Sequence, residues 1–251
     1  MSAQKEHNVP LLRAKPQAAG LVLSGSGKRT TSMNVFDIIG PVMIGPSSSH
    51  TAGAARLGQI ARKILGAPAV KAEITLCGSF AQTYRGHGTD KALIAGILGM
   101  SPDDERIRTS LQLAEECGLQ YSFKTASLPG AHPNTARITL TDAQGHTSVI
   151  QGASVGGGNI LVSEINGMRV AVTSQYNTLI VLHHDVPGVI AAITNVMACS
   201  GLNIGNFQLS RPQKGGHAVM TIEVDGEVPP ALTDSLKVLP NVISVELIEA
   251  V

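Results

Sequence analysis

Apolar positions along the chain fall into two successive patterns. From Thr51 to Leu65, the residues Ala52, Ala55, Ile60, Ile64 and Leu65 recur at helical spacing, and Gly66 follows as a stop. Val70, Ala72, Ile74 and Leu76 then alternate with Lys71, Glu73, Thr75 and Cys77, which predicts a strand. Residues 89–99 predict a second helix opened by Thr89-Asp90. Pro102 to Cys117 predicts a third, with Asp103, Asp104 and Glu105 in the first turn where the helix dipole favours acids. Arg137–Thr141, Thr147–Gln151, Ile160–Ile165 and Met168–Thr173 read as strands, the last two joined by the hairpin turn Asn166-Gly167. Residues 32–173 are therefore one α+β domain of mixed order.

The pattern begins again after Ser174-Gln175. Leu179–Leu182 reads as a strand, Val189–Cys199 as a helix after Pro187-Gly188, and Ile204–Leu209 and Ala218–Val224 as two strands around the turn Pro212–Gly216. Pro230–Leu236 is a short helix and Val242–Ile248 a last strand. The order βαββαβ is the ferredoxin-like split unit. No apolar face obvious in the sequence ties it to the first half, so 174–251 is expected to be a separate small domain.

Composition narrows the function classes. Lys plus Arg is 19 and Asp plus Glu 18, a net +1 that offers no basic surplus for a phosphate backbone. Four Phe, three Tyr and no Trp leave little for base stacking. Cys77, Cys117 and Cys199 have no metal-ligand spacing, so no zinc or iron–sulfur site is expected on this chain alone. Each reads as a small buried hydrophobe. No apolar run reaches the ~20 residues of a membrane helix, and the chain reads as soluble and cytoplasmic. Residues 1–31 differ from the rest. Lys5, Arg13, Lys15, Lys28 and Arg29 stand against Glu6 alone, and SGSGKRTTS has linker composition, so 1–31 reads as a flexible leader.

Candidate chemistry concentrates at helix starts. Pro46-Ser47-Ser48-Ser49-His50-Thr51 brings four hydroxyls and an imidazole beside free helix amides, a pocket for a small anion such as a carboxylate. Plain N-capping needs only one such hydroxyl. Arg85-Gly86-His87-Gly88-Thr89-Asp90-Lys91 presents a second His, uncovered between two glycines and able to carry a proton near neutral pH. His132-Pro133-Asn134-Thr135 is ordinary turn chemistry unless it joins the same pocket. Gly156-Gly157-Gly158 lacks the rest of a phosphate-binding loop and reads as a bulge or a close backbone approach. In the second domain, Asp185 could meet an ammonium and the amides after Pro187-Gly188 a carboxylate. A simple capped turn accounts for the same residues. His183 and His184 should point to opposite faces of their strand, which disfavours a shared metal.

These segments carry a family resemblance. VFDIIGPVMIGPSSSHTAGAARLG (35–58), GSFAQTYRGHGTDKALIAGILG (78–99), HPNTARI (132–138) and SVGGGNI (154–160) resemble the beta subunit of iron–sulfur-dependent L-serine dehydratase. DVPGVIAAIT (185–194) resembles an ACT domain, a regulatory small-ligand module. The resemblance implies an allosteric substrate-binding-like domain over 32–173 and a ferredoxin-like ACT domain over 174–251. It implies β-elimination converting L-serine to pyruvate and ammonia. It also implies a four-iron four-sulfur cluster whose cysteine ligands lie on an alpha subunit, with one open iron acting on the β-hydroxyl as a Lewis acid. By the same resemblance His50 and His87 face that cluster and bind substrate or move a proton. Ser47, Ser48, Ser49 and Thr51 hold the carboxylate, with His132 and Asn134 nearby. Asp185, Pro187 and Gly188 take a regulatory amino acid or ion, across a homodimer formed through the ACT domain. In the family pattern VFDIIG stands almost at the N-terminus, so the leader departs from it. The alternative reading is a stand-alone amino-acid sensor without catalysis.

Overall fold

The helix expected from Thr51 forms, but its opening is wider than an α-helix. Ser48–Gly53 is a π-turn, and α1 then runs Ala54–Leu65 and ends at Gly66 in the left-handed conformation. A computed structural model describes residues 43–173 and 175–250. The leader and the apolar Val35–Ile39 run lie outside the described residues. β1 (Ala69–Leu76) follows, then α2 (Gly78–Thr83) and α3 (Thr89–Ile97). Where one helix was expected from Pro102, a 3-10 turn at Glu105–Thr109 precedes α4 (Ser110–Glu116). Asp104 caps the start of that turn through the Arg106 amide, so Asp104 and Glu105 open a separate short element instead of a long helix.

β2 (Gln120–Thr125) was not among the expected strands, although Leu119, Tyr121 and Phe123 alternate with Gln120, Ser122 and Lys124. It lies parallel to β1 at the sheet edge, half exposed. β3 (Thr135–Asp142), β4 (Thr147–Gly156), β5 (Asn159–Ile165) and β6 (Met168–Thr173) complete a six-stranded sheet of order β2-β1-β3-β4-β5-β6. Its other pairings are antiparallel. Asn166 and Gly167 both have positive φ, as the expected tight hairpin requires.

One face of this sheet is covered by α1 and α3. Leu57, Ile60, Leu93, Ile94 and Ile97 from the helices meet Ile74, Ile138, Leu140 and Ile150 from the strands in one core. Burying each such side chain contributes roughly 1.5–3 kcal/mol. The two helices cross backbone against backbone. A methyl group at Gly96 would run into the Ala55 carbonyl, and one at Gly58 into that of Leu93.

The second half follows its expected order: β7 (Asn177–His184), α5 (Val189–Cys199), β8 (Ile204–Ser210), β9 (His217–Val224), α6 (Pro230–Lys237) and β10 (Val242–Ile248). The sheet order is β10-β7-β9-β8, antiparallel throughout. Its helix-covered face has a core of its own around Val181, Ile193, Met220 and Leu236. The other face does not stand free. Ile180, Val219 and Ile248 pack into the core of the first domain, and the Lys63 Nζ donates to the Leu247 carbonyl at 3.0 Å. The expectation that the second half buries nothing on the first is thus corrected. Strand β7 is buried on both faces, so its continuous apolar run could be read as a core strand without revealing its second partner.

Candidate functional site

The loop before α1 turns on its first serine. The Ser47 hydroxyl accepts from the His50 backbone N–H at 3.3 Å and lies 3.3 Å from Nδ1 of the same ring. This cap and the π-turn carry the imidazole inward, where His50 is only 8% exposed. Its Nε2 faces the Ser79 hydroxyl at 3.2 Å, and its ring meets Phe80 edge-on at 5.2 Å between centroids. The second histidine arrives on the loop before α3. The His87 ring is exposed and stands perpendicular to that of His50, with centroids 4.8 Å apart. Two histidines 37 positions apart in sequence, as their numbers show, thus share one cluster. Burial, and then the neighbouring His87, hold the His50 pKa below the usual imidazole value, so His50 is neutral at pH 7.

Further hydroxyls lie on and beside the same turn. Ser48 and Ser49 are half-buried on the π-turn. Thr51 is buried with its Oγ1 unpartnered among the described residues, against the backbone of Gly45. Across the turn, Ser154 packs on Gly53, where no side chain could be accommodated, and its Oγ is likewise buried and unpartnered among the described residues. A buried hydroxyl without a partner costs about 1–3 kcal/mol.

The third loop joins this frame through its backbone. Pro133 accepts from the Phe80 N–H at 3.3 Å, Thr135 accepts from Cys77 at 3.0 Å, and Asn134 reaches the Ser154 carbonyl at 3.4 Å. His132 does not join the imidazole pair. Its Nδ1 accepts from the Asn134 N–H at 3.1 Å, and the exposed ring borders a separate cleft of about 440 Å³ with Gln151 and Leu161. The glycine run closes β4 onto β5 with a bulge between Ser154 and Gly156, and all three glycines have positive φ. The Arg56 guanidinium, buried on α1, donates to the Gly158 carbonyl and pins this loop.

Ser79, Ser154 and Arg56 are parts of the site that the sequence reading did not single out. Arg56 had a signal: it is the one charge in the apolar stretch from Ala52 to Leu57. Asp90, already named in the His87 segment, lies in the first turn of α3. Burial raises its pKa, and its carboxylate accepts from the Lys91 N–H at 2.8 Å.

In the second domain the Asp185 carboxylate is already engaged. It accepts from the Gly215 N–H at 2.9 Å and pairs with Arg211, which hold it below the usual carboxylate range. Pro187 and Gly188 are exposed, and α5 starts from Gly188 with no side-chain cap. The amides of α5, more than Asp185, are therefore what this loop offers a ligand. His183 is buried and His184 exposed, on opposite faces as expected.

The described residues contain no group of three or more His, Cys, Asp or Glu able to hold a metal. Cys77 is buried, but Cys117 and Cys199 end α4 and α5 on the surface, which corrects the expectation that all three are buried. The three cysteines do not fit an iron–sulfur cluster. No helix among the described residues is long and apolar enough to cross a membrane.

The described chain is thus an α+β domain that brings two imidazoles together beside the Ser47 and Ser79 hydroxyls, followed by a ferredoxin-like domain. The family model "Serine dehydratase beta chain" matches residues 34–127, and "ACT domain" matches 177–241. The chain is 45% identical to the probable L-serine dehydratase beta chain of Bacillus subtilis, over 84% of this chain and 96% of that one. It is 38% identical to the L-serine dehydratase beta chain of Peptoniphilus asaccharolyticus, over 82% and 92%. A weaker likeness, 25% identity over 78% of this chain and 37% of the other, links it to the D-3-phosphoglycerate dehydrogenase of Bacillus subtilis. The chain belongs to the family of L-serine dehydratase beta chains.

Proposed function

We propose that this chain is the substrate-holding half of a cytoplasmic L-serine dehydratase that works with an alpha partner. The reaction removes the α-proton of L-serine and expels its β-hydroxyl. The dehydrated product takes up water again to leave pyruvate and ammonia. A four-iron four-sulfur cluster held by cysteines of the alpha partner would supply a Lewis acid for the departing hydroxyl. This chain's own part is to bind the substrate and to handle its proton.

The observation that carries the reading is the imidazole pair, one ring buried and neutral, the other exposed at its edge. Ser47, Ser48, Ser49 and Thr51 bind the substrate carboxylate with hydroxyls beside the amides that open α1. His50, unprotonated at neutral pH and steadied by Ser79, is the member of the pair suited to accept a proton. His87 faces outward, where an approaching partner and substrate meet it. Asn134 fixes the loop behind Ser154.

The ACT domain pairs with a second copy of the chain through β8. This edge strand bonds only β9 and leaves Phe207 and Leu209 exposed. A regulatory amino acid or ion binds at Asp185–Gly188, chiefly on the amides that open α5.

The test is anaerobic co-expression with a cysteine-rich alpha subunit, with pyruvate measured from L-serine. His50→Ala and His87→Ala should each lower turnover at least a hundredfold, the usual contribution of a positioned acid or base, while the complex still assembles. Near-normal turnover in both variants would sink the assignment. A chain that binds serine under strict anaerobiosis yet recruits no partner would favour the sensor reading.

A further inference from the structure

A second site lies away from the histidine pair. A cleft of about 710 Å³ opens between the C-terminal half of α1 and the end of the second sheet, walled by α1 on one side and by α6 and β10 on the other. That is the size of a small-molecule site. Its charged lining is Arg56, Arg62, Lys63 and Lys237 against Glu246 and Glu249, an excess of two positive charges.

The positive charges are poorly answered within the fold. Arg56 is 8% exposed, and its only hydrogen bond among the described residues is from Nη1 to the Gly158 carbonyl. Arg62 gives Nη1 to the Ile97 carbonyl at 3.0 Å. Neither guanidinium, nor Lys237, has a carboxylate within salt-bridge distance among the described residues. Lys63 donates to the Leu247 carbonyl and has the exposed Glu249 at 3.8 Å. Glu246 lies close enough to Lys63 and Lys237 to feel both charges, so among the described residues it is the two arginines that lack a carboxylate. Burying a guanidinium without a counter-charge is costly, and paired or ligated charges are the rule. Both arginines keep the rest of their donor forks free, which suits the oxygens of a carboxylate or phosphoryl group.

We propose that this cleft binds a small oxyanion carrying two or more negative charges, a di- or tricarboxylate or a phosphoryl-bearing metabolite. The ligand sits between the two domains. It engages Arg56, whose other contact is the glycine loop next to Ser154, so occupancy bears on both the second sheet and the loop of the candidate site. This site does not depend on the catalytic reading.

The experiment is isothermal titration of the full chain with citrate and, separately, with inorganic phosphate, each against sodium chloride of equal ionic strength. At least one should bind saturably. Arg56→Lys, which keeps the charge and loses the fork, should weaken that binding about tenfold or more. So should the surface double variant Lys63→Ala/Lys237→Ala, whose helicity by circular dichroism should match the parent. Binding of citrate alone assigns the carboxylate class, and binding of phosphate alone the phosphoryl class. No saturable binding of either probe would overturn the proposal, as would binding that the folded double variant leaves unchanged.

Discussion

His50 is a buried imidazole whose side-chain hydrogen-bond partners among the described residues are the hydroxyls of Ser47 and Ser79. That setting has a measurable consequence. Burial and His87 lower its pKa in the folded chain, while in the unfolded chain it keeps its ordinary value near 6.5. Well above pH 6.5 the group is neutral in both states and adds no pH dependence. As pH falls through 6.5 the unfolded chain gains a proton here that the folded chain refuses, so stability is lost until pH passes the lowered folded value. The melting temperature should therefore drop between about pH 7.5 and about pH 5.5. His50→Gln should drop less over the same interval. Equal drops in parent and variant would mean that His50 titrates normally.

At the scale of elements, the site depends on how closely α1 and α3 approach, because the loops before these two helices carry the two histidines. The approach is set by Gly58 and Gly96. Replacing Gly96 by Ala would gain about 1 kcal/mol of helix propensity. The same methyl would be driven against the Ala55 carbonyl, a backbone atom that cannot swing aside. Overpacking of this kind costs about 1–3 kcal/mol, more where backbone must move. The clash should win: Gly96→Ala is expected to lower the denaturant midpoint, whereas Gly→Ala in an open helix would raise it. An unchanged or higher midpoint would show that the helices can separate freely.

For the whole molecule, one face of the second sheet closes the first domain's core through Ile180, Val219 and Ile248. Strand β8 ends that sheet with Phe207 and Leu209 exposed, and the pairing of two copies proposed above would run through it. Placing a charge in that edge should split the pair without unfolding either chain. Leu209→Glu is expected to sediment as half the mass of the parent chain at micromolar concentration, with an unchanged circular dichroism spectrum. A parent that is monomeric, or a variant that remains paired, would contradict the edge-strand dimer.

The sequence by itself carried the order of elements in both domains, the hairpin at Asn166-Gly167 and the hydroxyl- and imidazole-bearing loops at helix starts. All of these are local: periodicity, turn residues and capping positions are read from a few neighbours along the chain. β2 left a legible signal, Leu119, Tyr121 and Phe123 alternating with polar neighbours, that was passed over beside the helix expected up to Cys117, whereas α2 has too few residues to show a period. Only the tertiary structure decided that His50 and His87 face one another while His132 borders a different cleft. It alone paired Ser79 with His50 and turned Asp185 toward Arg211 and Gly215. It also seated the second sheet on the first core and left the Arg56 guanidinium facing a cleft. Each of these depends on where distant segments cross. Crossings are set by close packing among residues far apart in sequence, of which no single stretch carries a record.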